Sequence, residues 1–370
     1  MRKFLIFIFF LMLIAPPQSA SEKLLYAIRY GGPAKSPFKF KQISTQIFSL
    51  DPDNRENKLV FSDENTPIAL LARPNVEGQI VTSKNRLYAF SKTRTIEIGH
   101  DSSWRPFYYY RYGRTSSIYE VFLDGTNRFR KVSDVMGTQY PRMMIIDPAD
   151  NRISYLNYAD RACKKPTLYT HGTTSGRLYN KIELAEIFLD CFATNIGWLP
   201  EGERLFFTLD TGDVHVTSEE SYQRVGTYVM KENGTDTRLL SNSLFSFPSK
   251  KGFSGGIQPR CIGARPDGTL IIRDVKHKRG SKGGTCSFLY LVNPDSKSKK
   301  EIPMKVFEGL KNFKVSHNGR KVAFIQDIYK DTSVYIWIKD LMTGEENKIF
   351  SYPIRQLKGY SLGLAGWIAD

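Results

Sequence analysis

The feature that most restricts this chain is a recurring unit in which an apolar strand enters a tight turn and a second apolar strand returns. Trp198-Leu199-Pro200-Glu201-Gly202-Glu203-Arg204-Leu205-Phe206-Phe207 is one copy, and Val315-Ser316-His317-Asn318-Gly319-Arg320-Lys321-Val322-Ala323-Phe324 is another. Arg265-Pro266-Asp267-Gly268-Thr269-Leu270-Ile271-Ile272 and Asp147-Pro148-Ala149-Asp150-Asn151-Arg152-Ile153-Ser154-Tyr155 repeat it, and 83–90 does so more loosely. Pro supplies the fixed φ of a turn's second position, while Gly or Asn tolerates positive φ at its end.

Each of these hairpins is followed by a second one. Segments 116–133, 226–241, 287–302 and 333–350 all place an alternating apolar strand before an Asn/Asp/Gly/Thr turn and a short polar strand, and 45–61 and 167–184 complete a set of six. Their aromatic markers Phe48, Tyr119, Tyr169, Tyr228, Tyr290 and Trp337 are separated by uneven intervals, so the strands repeat while the connections vary. Composition agrees: 41% apolar content excludes wholesale disorder, and 13% aromatics with 28 Gly suit many short strands joined by tight turns. A four-stranded unit of ~40–50 residues repeated around an axis is the pattern of a β-propeller blade. The predicted fold is therefore all-β, a six-bladed β-propeller. With strands A to D counted from the axis outward, 23–30 reads as a B strand lacking an A, and 362–368 as an A strand lacking a B. Closure by a C-terminal strand pairing with the N-terminal blade would remove the open edge of the ring.

Trp198 to Phe207 fits W-x-P-[DE]-G-x-x-[aliphatic]-x-F, and Tyr228 to Leu239 supplies the Y-V-M-x-x-x-G-T-x-x-R-L strand pair that follows it. In these residues the chain resembles the WD40-like repeat of TolB-type six-bladed propellers, over nearly all of 22–370 and without the α/β domain that precedes TolB's propeller. The resemblance implies a fold. It leaves function open, since such repeats serve periplasmic scaffolds, peptidase propeller domains and some polysaccharide lyases.

Export is expected from the first twenty residues. Arg2 and Lys3 precede an apolar run over 4–14, Pro16 and Pro17 break it, and Ser19, Ala20 and Ser21 are small enough for a signal peptidase. The domain reading is a signal peptide over 1–20 and a single propeller over 21–370, periplasmic or secreted. No later apolar run reaches the ~20 residues of a membrane span. The formal net charge of +16 suits an acidic protein surface, an anionic glycan or lipid headgroups, and charge alone does not choose among them.

An oxidising compartment makes the four cysteines candidates for bridges. Cys163 and Cys286 are expected in B–C connections and Cys191 and Cys261 near the entrances to A strands, all at one end of the ring, and proximity favours Cys163–Cys191 and Cys261–Cys286, with buried thiols as the alternative. The long connections gather at that same end. The insertion over 92–115 interleaves aromatics with arginines, giving candidate contacts at Trp104, Arg105, Tyr109 and Arg111, which also fit an extra hairpin with no ligand. Lys250, Lys278, Arg279 and Lys282 add positive charge from blade five, whereas Asp210, Asp213, Glu219 and Glu220 make the blade-four connection acidic. A lopsided rim suits a docked protein better than duplex nucleic acid, which is not the expected partner.

Catalytic patterns are weak. Gly252-Phe253-Ser254-Gly255-Gly256 matches G-x-S-x-G, but a nucleophile elbow needs a strand before it and a helix after it. The histidines at 100, 171, 215, 277 and 317 lack metal-ligand spacing and read as surface residues, and Asp51-Pro52-Asp53-Asn54 reads as an Asp-rich turn rather than a calcium loop. No metal or cofactor is expected. The first functional reading is an exported, non-catalytic binding module or scaffold that docks an envelope or extracellular protein or peptide through its loop-rich face. The alternative is a carbohydrate-active propeller that binds or eliminatively cleaves an anionic polysaccharide.

Overall fold

A computed structural model of the chain describes residues 22–31, 43–64, 66–70, 79–100, 106–136, 140–158, 166–184, 192–210, 226–240, 253–278, 285–294, 296, 298–305, 308–327, 332–353 and 361–369. The repeated turn sequence gives one repeated hydrogen-bond pattern. Leu199 N donates to Arg204 O and Gly202 N to Leu199 O, at 2.8 and 2.9 Å; Asp147 N to Arg152 O with Asp150 N to Asp147 O, and Ser316 N to Lys321 O with Gly319 N to Ser316 O, are the same pair in other blades. Blade five makes it one residue tighter, with Arg265 N on Thr269 O at 2.8 Å. The residue closing each turn has positive φ: Asp150, Gly202, Gly268 and Gly319. At Gly319 the φ of 67° is compounded by crowding, because a Cβ there would lie 2.8 Å from Pro266 Cδ and 2.9 Å from Arg265 Cα. The blade-six turn thus nests on the blade-five turn, and only glycine fits.

Blade one contributes Glu22–Gly31 (β1), Ile43–Leu50 (β2) and Asn57–Ser62 (β3). Blade two has its innermost strand in two pieces, Ile68–Leu70 (β4) and Ile80–Ser83 (β5), both paired to Arg86–His100 (β6), followed by Pro106–Val121 (β7) and Phe129–Asp134 (β8). Blade three is Tyr140–Ile146 (β9), Arg152–Tyr158 (β10), Pro166–Gly172 (β11) and Leu178–Glu183 (β12). Blade four is Phe192–Trp198 (β13), Arg204–Asp210 (β14), Gly226–Lys231 (β15) and Arg238–Leu239 (β16). Blade five is Phe253–Ala264 (β17), Leu270–Lys278 (β18), Thr285–Val292 (β19) and Lys299–Ile302 (β20). Blade six is Leu310–Val315 (β21), Lys321–Gln326 (β22), Ser333–Asp340 (β23) and Glu346–Pro353 (β24). The last strand, Ser361–Ala369 (β25), returns to blade one and gives it the order β25-β1-β2-β3. The six-bladed propeller and its closure are as the sequence predicts.

Packing explains why the B strands read as unbroken apolar runs. Each sheet is covered on both faces, so successive residues of one strand serve different neighbours. On β14, Phe207 joins the cluster between blades three and four while Phe206 joins that between four and five. Ile271 and Ile272 divide the same way on β18, and Phe324 and Ile325 on β22. The six aromatic markers all lie on C strands in one register, opposite Tyr26, Ala89, Tyr155, Phe207, Ile272 and Phe324. Three of these pairs stack: Tyr26 on Phe48, Tyr155 on Tyr169 and Phe207 on Tyr228, with ring centroids 5.2 to 5.7 Å apart. Such pairs add ~0.5–1.5 kcal/mol each beyond the area they bury.

Closure uses bonds to three blades. β25 runs antiparallel to β1 from Glu22↔Ala369 to Arg29↔Ser361. Trp367, 1% exposed, donates its indole N–H to Lys314 O at 3.1 Å, and its carbonyl lies 2.6 Å from His317 Nε2 in blade six. Ala369 N reaches Lys84 O of blade two at 2.8 Å.

One buried charged cluster lies where blade one hands over to blade two. Asp63, 1% exposed, accepts from Thr45 N at 2.7 Å and Leu70 N at 2.8 Å, and the Arg94 guanidinium donates to the carbonyls of Asp63, Glu64 and Thr66. Burial pushes the Asp63 carboxyl up to about 6, against the two backbone donors and Arg94. A carboxyl whose folded pKa is raised contributes stability that is fully present below the unfolded value and lost as pH rises through about 6. Urea unfolding of the wild type and Asp63→Asn, compared at pH 4 and pH 7.5, should show the wild-type advantage falling by about 2 kcal/mol at the higher pH; a difference independent of pH would contradict this.

Candidate functional site

The innermost strands β25, β5, β9, β13, β17 and β21 surround a common axis and line a half-open cavity of about 530 Å³. Its walls are the second halves of those strands together with Lys84, Pro148, Pro200, Pro266 and His317 of the turns that follow them, so it occupies the half of the axis nearest the A–B turns. Close approach of backbone to side chain shapes it: a Cβ on Gly263 would sit 2.7 Å from Val315 Cγ2, so the Val315 side chain would have to shift.

The lining is basic. Lys84, Arg260, Arg273 and Lys314 contribute to it, together with one carboxylate, Asp147. Asp147 is 1% exposed and already occupied, accepting from Asn151 N at 2.7 Å, Arg152 N at 2.8 Å and Arg152 Nε at 3.1 Å. Arg152 continues to Gly202 O at 2.7 Å and to Glu232, and its guanidinium lies 4.7 Å from the centre of a Trp198 ring. Burial raises the Glu232 carboxyl against the pull of Arg152. Arg273 is held by Ser287 Oγ at 3.0 Å, Leu310 O at 2.7 Å and the Phe313 ring at 4.7 Å. These three contacts orient the guanidinium. The Trp198 indole nitrogen is buried with no hydrogen-bond partner among the described residues.

At the opposite end, B–C and D–A connections join the blades. Those over 32–42, 101–105, 211–225, 241–252 and 279–284 lie outside the described residues. What is described there is a two-stranded hairpin: β6 and β7 stay paired from Arg94↔Tyr112 to His100↔Pro106, past Thr93, the last β6 residue that β4 reaches. Tyr109 and Arg111 belong to it by backbone, opposite Glu97 and Thr95, and Lys278 ends β18 opposite Phe253. Trp104, Arg105, Lys250, Arg279 and Lys282 lie outside the described residues, as do Cys163 and Cys191. The cavity and the loop-borne candidates are therefore at different ends of the ring.

The Cys261–Cys286 bridge suggested by proximity is not formed, and both side chains are buried. Cys261 pairs with Ile272 and Cys286 with Lys276, so all of β18 lies between them. Two interstrand spacings come to nearly ~10 Å, beyond the ~7 Å between Cα atoms that a disulfide spans. Cys286 is in a strand rather than a connection, and Cys261 is in the second half of β17 rather than at its entrance.

Three further expectations change or sharpen. His171 is buried, not at the surface, stacked on Tyr155 with ring centroids 5.7 Å apart; burial lowers its pKa. Ser254 pairs with His277 inside β17, so it lies in a strand rather than a connection or an elbow. Asp51 Oδ1 accepts from Asp53 N at 2.8 Å, an ordinary turn contact. Among the described residues no cluster of three or more His, Cys, Asp or Glu side chains could hold a metal ion, and no helix is long and apolar enough to cross a membrane. Sequence reasoning missed the axial cations. Their signal was present as Arg260 and Lys314 interrupting A strands.

Ring and axial cavity together define a six-bladed β-propeller with a half-open cavity on its axis. No protein-family model matches the chain, and no curated protein does. Among solved structures it is similar to TolB from Acinetobacter baumannii, at 13% identity and a TM-score of 0.49, over 97% of this chain and 70% of that one. A putative TolB from Agrobacterium tumefaciens aligns at 14% and 0.46 over 90% of each chain. An oligogalacturonate lyase in complex with manganese aligns at 12% and 0.42 over 83% of this chain and 72% of the other.

Burial pushes the Cys261 thiol up to about 12, with Sγ 3.4 Å from Gly263 O. Cys261 should resist iodoacetamide in the native protein at pH 8 and react fully in denaturant, read by peptide mass mapping; rapid native labelling would place it outside the core.

Proposed function

We propose that this chain is an exported, non-catalytic β-propeller that docks a protein or peptide of the cell envelope at the loop-rich end of its ring. In this reading residues 1–20 are a signal peptide, 21–370 are the mature propeller, and the protein acts in the periplasm or outside the cell. The observation that carries the reading is the asymmetry of the ring. On one end the A–B turns are short and alike, hydrogen-bonded to the same pattern from blade to blade. From the other end a hairpin extends beyond its own blade, and longer connections join the strands there. A rigid frame with variable connections on one end is the arrangement that recognition surfaces use. The hairpin carries Tyr109 and Arg111 and leads into Trp104 and Arg105, residue types that dominate binding energy at protein interfaces. The positive balance of the chain favours an acidic partner surface and fast, salt-sensitive association.

A photo-crosslinking residue placed at Tyr109 in the exported protein should yield a discrete adduct with one envelope protein. Double reversal, Arg105→Glu with Arg111→Glu, should weaken that adduct at least tenfold while leaving the melting curve unchanged. No adduct would contradict the docking role, and eliminative turnover of a uronate polymer would replace it with the carbohydrate-active reading.

A further inference from the structure

The axial cavity is at the other end from the proposed docking hairpin, and its chemistry points elsewhere. We infer that it is a binding site for a small uncharged sugar, held by the Asn312 amide and the unpaired edges of the innermost strands.

The repeat contains its own internal comparison. Asn195 on β13 and Asn312 on β21 hold the same position, four residues before Leu199 and Ser316 of the matching turns. Trp198 and Trp367 also match, opposite Leu205 and Leu24. One copy of each residue clips the ring to a neighbouring blade: the Asn195 amide donates to Cys261 O of blade five, and the Trp367 indole N–H to Lys314 O of blade six at 3.1 Å. The other copy does not. Trp198 Nε1 is buried without an acceptor among the described residues, and the side-chain amide of Asn312, a residue 9% exposed, bonds to no described residue. Both residues are in the cavity wall. Polar groups withheld from the protein's own bonding are costly to leave unmatched, and a solute in the cavity is what Asn312 can bond.

Backbone strain marks the same level of the axis. Outside the hairpin turns, the described non-glycine residues with positive φ are Met143 at 52° and Asn312 at 56°. Each lies four residues before its turn, in blades three and six, which face one another across the ring. Register shifts between Ser154 and Leu156 and between Lys311 and Lys314 put both in β-bulges. Bulges re-aim side chains, and left-handed backbone inside a strand collects at functional sites.

Chemistry selects the solute. Among the described residues each innermost strand is paired on one side only, so its other edge offers backbone donors and acceptors to the axis. Much of the remaining wall is apolar, including Met143, Ile196, Ile262, Phe313 and Ala365. Arg260, Arg273 and Lys314 already have partners, so no counter-charge is called for. Neutral donors and acceptors spread over an apolar wall match hydroxyls on a carbon frame, because each hydroxyl both donates and accepts. A volume of about 530 Å³ lies within the ~300–1,000 Å³ of small-molecule sites and suits a mono- or disaccharide.

Sugar binding on the axis is independent of docking at the hairpin, and the test separates the two. Maltose, cellobiose and sucrose are titrated into the full chain and followed by proton–nitrogen correlation NMR. At least one should bind, with an affinity that added salt leaves unchanged, and should move the Asn312 side-chain amide signals. Asn312→Gly keeps the left-handed backbone and should weaken binding about tenfold without lowering the melting temperature. Asn195→Ala, at the matching position, should lower the melting temperature because the bond to blade five is lost. If Asn312→Gly misfolds by circular dichroism, Asn312→Asp, which removes the donor and tolerates the same backbone, serves in its place. Arg105→Glu with Arg111→Glu should bind sugar like the wild type; loss of binding there would place the site at the hairpin and overturn the inference. So would failure of all these sugars to bind, full affinity in the folded Asn312 variant, or a melting temperature lowered as much by Asn312→Gly as by Asn195→Ala.

Discussion

Covering each sheet on both faces is the constraint from which the rest of this molecule follows. A blade with one bare face would expose the Phe206, Ile272 or Ile325 side of its central strands, each burying ~1.5–3 kcal/mol of apolar side chain. Six blades can satisfy one another only if the last meets the first, and β25 achieves this by leaving blade six and becoming the innermost strand of blade one. The blade six to blade one cluster is accordingly built from both chain ends: Leu24, Tyr26 and Ile28 come from β1, and Leu362, Leu364 and Trp367 from β25. Polar clips such as Arg86 to Asp150 at 3.5 Å and Arg130 to Thr173 O at 3.2 Å, each with one half-exposed arginine and one buried partner, reinforce neighbouring blades. Apolar closure dominates.

What closure creates is an axis. Once six innermost strands face one another, whatever interrupts their apolar pattern is brought together, and here the interruptions include Arg260 and Lys314 beside Thr82, Asn195 and Asn312. The ring therefore has two chemically distinct ends. One holds a half-open cavity among short turns, and the other carries the extended hairpin and the longer connections. The strands supply the rigidity, which lets the frame tolerate basic residues beside its axis without giving up its core.

Local chemistry was legible in the sequence where its partners are near in the chain. The Pro/Gly turns close within five residues, so 199–204 and 316–321 declare themselves, and the aromatic markers fall in one register because each follows its own hairpin. The Trp367 strand was readable for a different reason, as a first strand with no second. Features made by long-range convergence were not readable. Arg94 caps a turn 28 to 31 residues earlier, and Lys339 is buried 3.5 Å from Glu346, a cross-strand charge pair that alternation would place in solvent. The same limit explains the cysteines: 261 and 286 are close in the chain, yet register sets them on either side of β18.

The central claim is that the ring is held shut by the last strand. Deleting residues 359–370 and recording thermal unfolding by circular dichroism tests it most directly. The deletion removes Trp367, worth ~3–5 kcal/mol by itself, along with Leu362 and Leu364, from a fold whose total stability is on the order of 5–15 kcal/mol. The account predicts loss of the cooperative transition, or a melting temperature lowered by at least ~15 °C. A truncated chain that melts like the intact protein would contradict it.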